Sequence, residues 1–273
     1  MLKPLLFFLL TVAVTAQAQH EAVVMENVKS QLLMSAQYRQ PAAYSNSKRL
    51  LKIYSDSIAA GRDVAGYTYA RALTYLSLKD YDKALPLLEK ACQLKPTFHG
   101  YTGWVYLDNL RDYPRTLAHY NTYDALTPDS TIDDREGDYS VRYLKAQIYR
   151  FMGEHKRALP LYDFAISVIE DKHGPAWVSY RCYVARGQSR LAVGRAGDAL
   201  SDFEKAIPNN PSSALSSYWK GRALQVLNRS AEARIAYNDA LLWLRNSSVE
   251  HEQYYEHQDS VCAQQIETAL ASL

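Results

Sequence analysis

The chain has 273 residues, 48% of them hydrophobic and 22% charged, with 31 Lys and Arg against 29 Asp and Glu and a formal net charge of +2. Such a composition suits one extended folded domain or two compact ones and excludes a low-complexity or disordered polypeptide. The near-neutral balance leaves no electrostatic footprint for nucleic acid, which is not expected as a partner. Tyrosine is over-used, with 22 Tyr beside 6 Phe and 4 Trp. Its ring can be buried while the hydroxyl stays polar, so it serves helix packing and an open binding surface alike.

Residues 1–18 read as a signal peptide. Lys3 supplies the positive start, Leu5 to Val14 form a short apolar run, and Ala16-Gln17-Ala18 gives a small-x-small site with cleavage after Ala18. The run is too short to span a bilayer as a stable helix. The mature chain is therefore expected to be exported, periplasmic or secreted, without a transmembrane segment.

Residues 19–65 predict an N-terminal helical cap or degenerate repeat. Its two helices are placed at 21–37, with Val24, Val28 and Leu32 on one face, and at 45–60, with Leu50, Tyr54 and Ile58 inward and Pro41 between them.

Over residues 66–246 one pattern recurs five times. A small-residue slot is filled by Ala84, Thr116, Ala158, Ala199 and Ala233, and four residues later stands Leu88, Tyr120, Tyr162, Phe203 or Tyr237. Three further on the slot is small again at Ala91, Ala165, Ala206 and Ala240, with Tyr123 in the remaining copy. Two antiparallel helices approach closely only where a side chain is Ala or Gly, and the bulky partner one turn later fills the groove beside it. Gly153, Gly194 and Asn228 provide turns that tolerate positive φ, and Pro96, Pro128 and Pro211 close units. Ala72 and Gly187 are the small residues of first helices. Arg71, Lys145, Arg186 and Lys220 recur just before such positions and read as long stems over apolar surface with their charges in water.

This pattern resembles the tetratricopeptide repeat, a helix–turn–helix unit of about 34 residues. The resemblance covers roughly residues 66–243. The slots recur after 32, 42, 41 and 34 residues, which implies insertions near 128–138 and 170–176. The second copy departs most, since Trp104, Thr116 and Tyr123 replace small residues. The fold class expected is all-α, a tetratricopeptide-like helical solenoid of about five repeats with helical caps at both ends. Residues 247–273 form the C-terminal cap, with a capping-box pattern at Ser247 and Glu250. Tyr254, Val261, Ile266 and Leu270 are the inner face of its helix.

The resemblance implies that first helices line a concave groove holding an extended peptide or a partner helix. Equivalent positions here are Phe98, Tyr101, Asp108, Asn109, Tyr143, Gln147, Arg150, Arg181, Gln188, Tyr218, Arg222 and Gln225. Arg150, Arg181 and Arg222 could meet an acidic segment or a terminal carboxylate. One family subtype grips a C-terminal carboxylate through Lys and Asn; the matching positions carry Leu73, Val105, Gln147, Ala70 and Ala185, so that specificity is not implied.

Other constellations fail on spacing. The acidic loop Asp129, Asp133, Asp134, Glu136, Asp138 lacks calcium-loop spacing, and Asp138 and Ser140 read better as helix N-caps. His251 is followed four residues later by Tyr255, not a second zinc ligand. Gly187-Gln188-Ser189 lacks the closing glycine of a nucleophile elbow. No metal, cofactor or enzymatic activity is expected. Cys92, Cys182 and Cys262 read as three buried thiols, with only Cys182 and Cys262 near enough in the stack to meet. The expected function is an exported adaptor that binds a polypeptide in its groove. The alternative is a glycan- or peptidoglycan-associated module, favoured if tyrosines form a contiguous platform.

Overall fold

The computed structural model describes residues 41–126, 140–246 and 259–273, and every regular element among them is helical. The signal-peptide reading, the helix at 21–37, Pro128, the acidic loop and the cap signals at Ser247, Glu250 and Tyr254 lie outside the described residues. The chain divides into an N-terminal unit ending at Asp108 and a C-terminal unit from Asn109 to Leu273.

In the N-terminal unit, α1 (Pro41–Ala59), α2 (Val64–Ser77), α3 (Tyr81–Leu94) and α4 (His99–Val105) follow one another. Pro41 is the first residue of α1 and not a break ahead of it, because proline at a helix start sacrifices no intrahelical bond. Asp80 caps α3 by accepting from the Lys83 amide, and Lys79 takes φ 61 in the turn before it. α2 and α3 close on Ala72, Ala84, Leu88 and Ala91, all fully buried. Tyr69 stacks on Phe98 at 4.8 Å between ring centres.

The C-terminal unit contains α5 (Tyr113–Leu126), α6 (Val141–Phe151), α7 (His155–His173), α8 (Tyr180–Ala192), α9 (Ala196–Asn209), α10 (Ala214–Val226), α11 (Ser230–Asn246) and α12 (Ala263–Ala271). The expected small slots Ala158, Ala199 and Ala233 are sealed, and Tyr162, Phe203 and Tyr237 are fully buried beside them. A Cβ placed on Gly187 would meet the Phe203 ring at 2.5 Å, and one on Gly221 would meet the Tyr237 ring at 2.6 Å. Those positions take glycine because an aromatic ring of the second helix occupies the space a side chain would need. Thr116 fits its slot because its hydroxyl donates to the Asp112 carbonyl at 2.8 Å. Gly153, Gly194 and Asn228 all have positive φ in the hairpin turns, as their positions predict. Ser140 caps α6 by accepting from the Tyr143 amide at 3.0 Å. The insertion near 170–176 is taken up by the 19-residue α7 and a 3-10 turn at Pro175–Trp177.

Three expectations are corrected. Arg186 does not hold its charge in water: its side chain is 8% exposed, and Nη2 donates to Asp202 Oδ1 at 2.7 Å, with Asp202 itself 1% exposed. Arg190 joins Asp202 at 3.0 Å, and both arginines reach Asp163, which is 47% exposed. The stem is too deeply enclosed between α7, α8 and α9 to reach solvent, so the charge is matched internally. Lys145 likewise pairs with Asp124 at 2.5 Å. Cys262 is exposed, unlike buried Cys92 and Cys182, and all three are free thiols. The last helix starts only at Ala263, because Cys262 is extended and caps it together with Gln265.

Gly187→Val should destabilise the protein by about 1–3 kcal/mol through overpacking against Phe203, read as a lower urea midpoint. Gly197→Ala, where nothing lies within 4 Å of the new carbon, should leave stability unchanged or raise it by up to about 1 kcal/mol. Asp202→Ala should cost about 3–5 kcal/mol by leaving two guanidinium groups without their buried partner. Asp163→Ala should cost less than about 1 kcal/mol, since its partner groups retain Asp202.

Candidate functional site

First helices of three consecutive hairpins, α6, α8 and α10, neighbour one another in the C-terminal unit. Each contributes one side chain to a common ladder: Arg150 from α6, Gln188 from α8 and Arg222 from α10. Helical periodicity puts these positions on equivalent faces of their helices. They line a cavity of about 530 Å³, together with His155, Leu191, Leu215, Trp219 and Val226. The remaining wall is Asp259 and Ser260, from the segment leading into α12.

Arg150 dominates the electrostatics. Its Nη1 donates to Asp259 Oδ1 at 2.9 Å and its Nη2 to Asp259 Oδ2 at 2.8 Å, a two-pronged carboxylate clamp. Its Nη1 also donates to the Gln188 carbonyl oxygen, and Nε donates to the Tyr162 hydroxyl at 3.2 Å. Gln188 Nε2 in turn reaches Asp259 Oδ1 at 3.4 Å. The Arg150 and Asp259 side chains are 8% and 14% exposed. Burial alone would disfavour the guanidinium charge, but Asp259 outweighs it and holds Arg150 above its ordinary value. Burial, then the charge of Arg150, pushes the His155 imidazole below its ordinary value. Arg222 has a different status. It donates to the Tyr218 hydroxyl at 3.2 Å and, among the described residues, pairs with no carboxylate.

The other expected groove residues fall in several places. Phe98 and Tyr101 belong to the N-terminal unit, where Phe98 is buried against Tyr69 and Tyr101 is exposed. Phe98 is therefore corrected to a core residue. So is Tyr143, which is fully buried edge-on to Tyr162, with its hydroxyl accepting from Gln147 at 2.8 Å. Both rings were assigned to a surface because a helix position alone does not say how far a neighbouring helix overlaps it. Asn109, Gln147 and Arg181 are half-buried outside the cavity lining. Tyr218, Arg222 and Gln225 line a second cavity shared with α12, and Gln225 donates to Ser272 at 2.9 Å. Asp259, Ser260, His155, Leu215 and Trp219 were not foreseen. Asp259 lies 109 residues from Arg150, so no local spacing announces the pair.

A tetratricopeptide-repeat family model matches residues 184–249 and a second matches residues 65–98. No curated protein matches the sequence. Among solved structures, MamA from Desulfovibrio magneticus RS-1 is 18% identical with a TM-score of 0.57, over 68% of this chain and 98% of that one. YrrB, described as a TPR protein with an unusual peptide-binding site, is 18% identical with a TM-score of 0.55, over 71% and 93%. Hairpins joined through small-residue seams define an all-α helical repeat protein. The repeats at residues 65–98 and 184–249 are of the tetratricopeptide kind.

Because His155 is held below 6.5, its neutral form contributes stability that is full above that value and is lost as pH falls through the lowered one. The urea midpoint should therefore drop more between pH 7 and pH 5 in wild type than in His155→Asn.

Proposed function

We propose that this protein is an exported interaction scaffold that binds an acidic polypeptide on the face formed by α6, α8 and α10, helping to assemble or tether a complex in the cell envelope. One observation carries the reading: Arg150, Gln188 and Arg222 stand on successive first helices beside the apolar Leu215 and Trp219. Directional donors over an apolar wall suit a peptide, whose side chains alternate between charge and bulk. The scaffold holds those groups rigidly, so little ordering entropy is lost on association. The peptide-binding description of YrrB is in keeping with this reading. Export rests on the segment 1–18 and is read from its residues alone. The glycan alternative loses its main support, since Tyr106, Tyr120, Tyr143, Tyr162, Tyr183 and Tyr237 are buried and cannot form a stacking platform. Among the described residues no helix is long and apolar enough to cross a membrane.

Arg222 is the cleaner probe of the face, since Arg150→Glu would set two carboxylates against each other. Crosslinked affinity capture of tagged full-length protein from the native envelope fraction, read by mass spectrometry, should recover a discrete partner. Arg222→Glu should lower that recovery about tenfold, the loss typical of removing a well-placed charge contact. Arg234→Glu, at an exposed position on α11, should not lower it. Equal recovery by Arg222→Glu and wild type would reject this face as the binding surface.

A further inference from the structure

The segment from Asp259 onward does more than end the chain. Asp259 and Ser260 form a short bend, Val261 is buried in the hydrophobic core of the C-terminal unit, and α12 follows with Ile266 fully buried. Asp259 thus places its carboxylate in the Arg150–Gln188 clamp, while Val261, two residues on, anchors the backbone by apolar burial. The segment is thus held at two points, by charge at Asp259 and by apolar burial at Val261. The helix is set up independently: the Cys262 amide donates to Gln265 Oε1 at 2.9 Å in a capping arrangement.

Resting on the reading of this face as a peptide site, we infer that the Asp259–Val261 segment is a built-in competitor for it. In this reading the free protein is autoinhibited, and its partner carries an acidic sequence that displaces the tail. Arg150 is the reason the partner must be acidic. Its guanidinium is enclosed, and among the described residues Asp259 is its only carboxylate. If the tail left without replacement, a buried cation would remain unmatched. A ligand carrying its own carboxylate removes that penalty at the moment of exchange. Arg222, which no carboxylate of the described tail residues reaches, adds a second cation contact for the incoming ligand. The tail acts from within the same molecule, so its effective concentration is high and weak outside ligands are suppressed. A ligand's apparent affinity then falls by the fraction of molecules with the tail released.

The test uses the full-length mature protein and a fluorescent, N-acetylated peptide with the sequence of residues 259–273, carrying Cys262→Ser. Binding is read by anisotropy, and hydrogen exchange in α12 reports tail release. Asp259→Asn weakens the cis contact. Val261→Asp unseats the segment while leaving Arg150 and Gln188 intact, and circular dichroism checks its fold. Both variants should bind the peptide at least about tenfold more tightly than wild type. Adding Arg150→Gln to Val261→Asp should abolish that gain. Equally tight binding by wild type and Val261→Asp would overturn the autoinhibition while leaving the face a peptide site. Faster exchange in α12 with no peptide captured by any variant would overturn both.

Discussion

The last two helical hairpins of the repeat rest on a contact between an aromatic ring and a bare stretch of helix. Phe203 lies against Gly187 and Tyr237 against Gly221, at separations where even one added carbon would collide with the ring. Around them Ala158, Ala199 and Ala233 let the second helix settle close to the first. The ring then spreads its apolar area across two helices at once, and dispersion contacts accumulate where a looser fit would leave a gap. Repeating that joint sets the spacing of first helices, and that spacing brings Arg150, Gln188 and Arg222 to one face. A binding surface made this way has its geometry fixed before any partner arrives.

Charge is handled differently inside the stack and on its face. Arg186, Arg190 and Asp202 form a group enclosed between α7, α8 and α9, with Asp163 at its solvent side. Such a group matches charge with charge and holds hairpins in register, while contributing less than its contact distances suggest. Arg150 is equally enclosed, but its partner comes from the far end of the chain and not from a packed helix. A structural ion pair and an exchangeable one can thus have similar burial. What separates them is how much of the fold must move to break them.

That contrast bears on regulation. α12 packs on α11 and covers the last hairpin, which serves stability by burying an otherwise exposed apolar face. The few residues leading into it contribute Asp259, which meets Arg150 and Gln188, and Val261, which is buried in the core. Under the proposed autoinhibition, one segment couples the end of the stack to the state of the groove. Effects at either place are linked, as they are wherever two occupants compete for one surface.

The helical hairpins were legible from residues alone. The alternation of small and bulky slots at Ala199 and Phe203, and the turn residues Gly194 and Asn228, are local requirements of helix packing and backbone dihedrals. Arg150, Gln188 and Arg222 were named from equivalent positions of the repeat, and the structure brings the three to one cavity. Only the tertiary structure decided which rings sink into the core, as Phe98 and Tyr143 do, since that depends on how far neighbouring helices overlap. It alone showed that Arg186 is enclosed and that Asp259 occupies the clamp. Those pairings join residues far apart in the chain, where sequence spacing carries no distance, and their chemistry appears only once folding has brought the charges together.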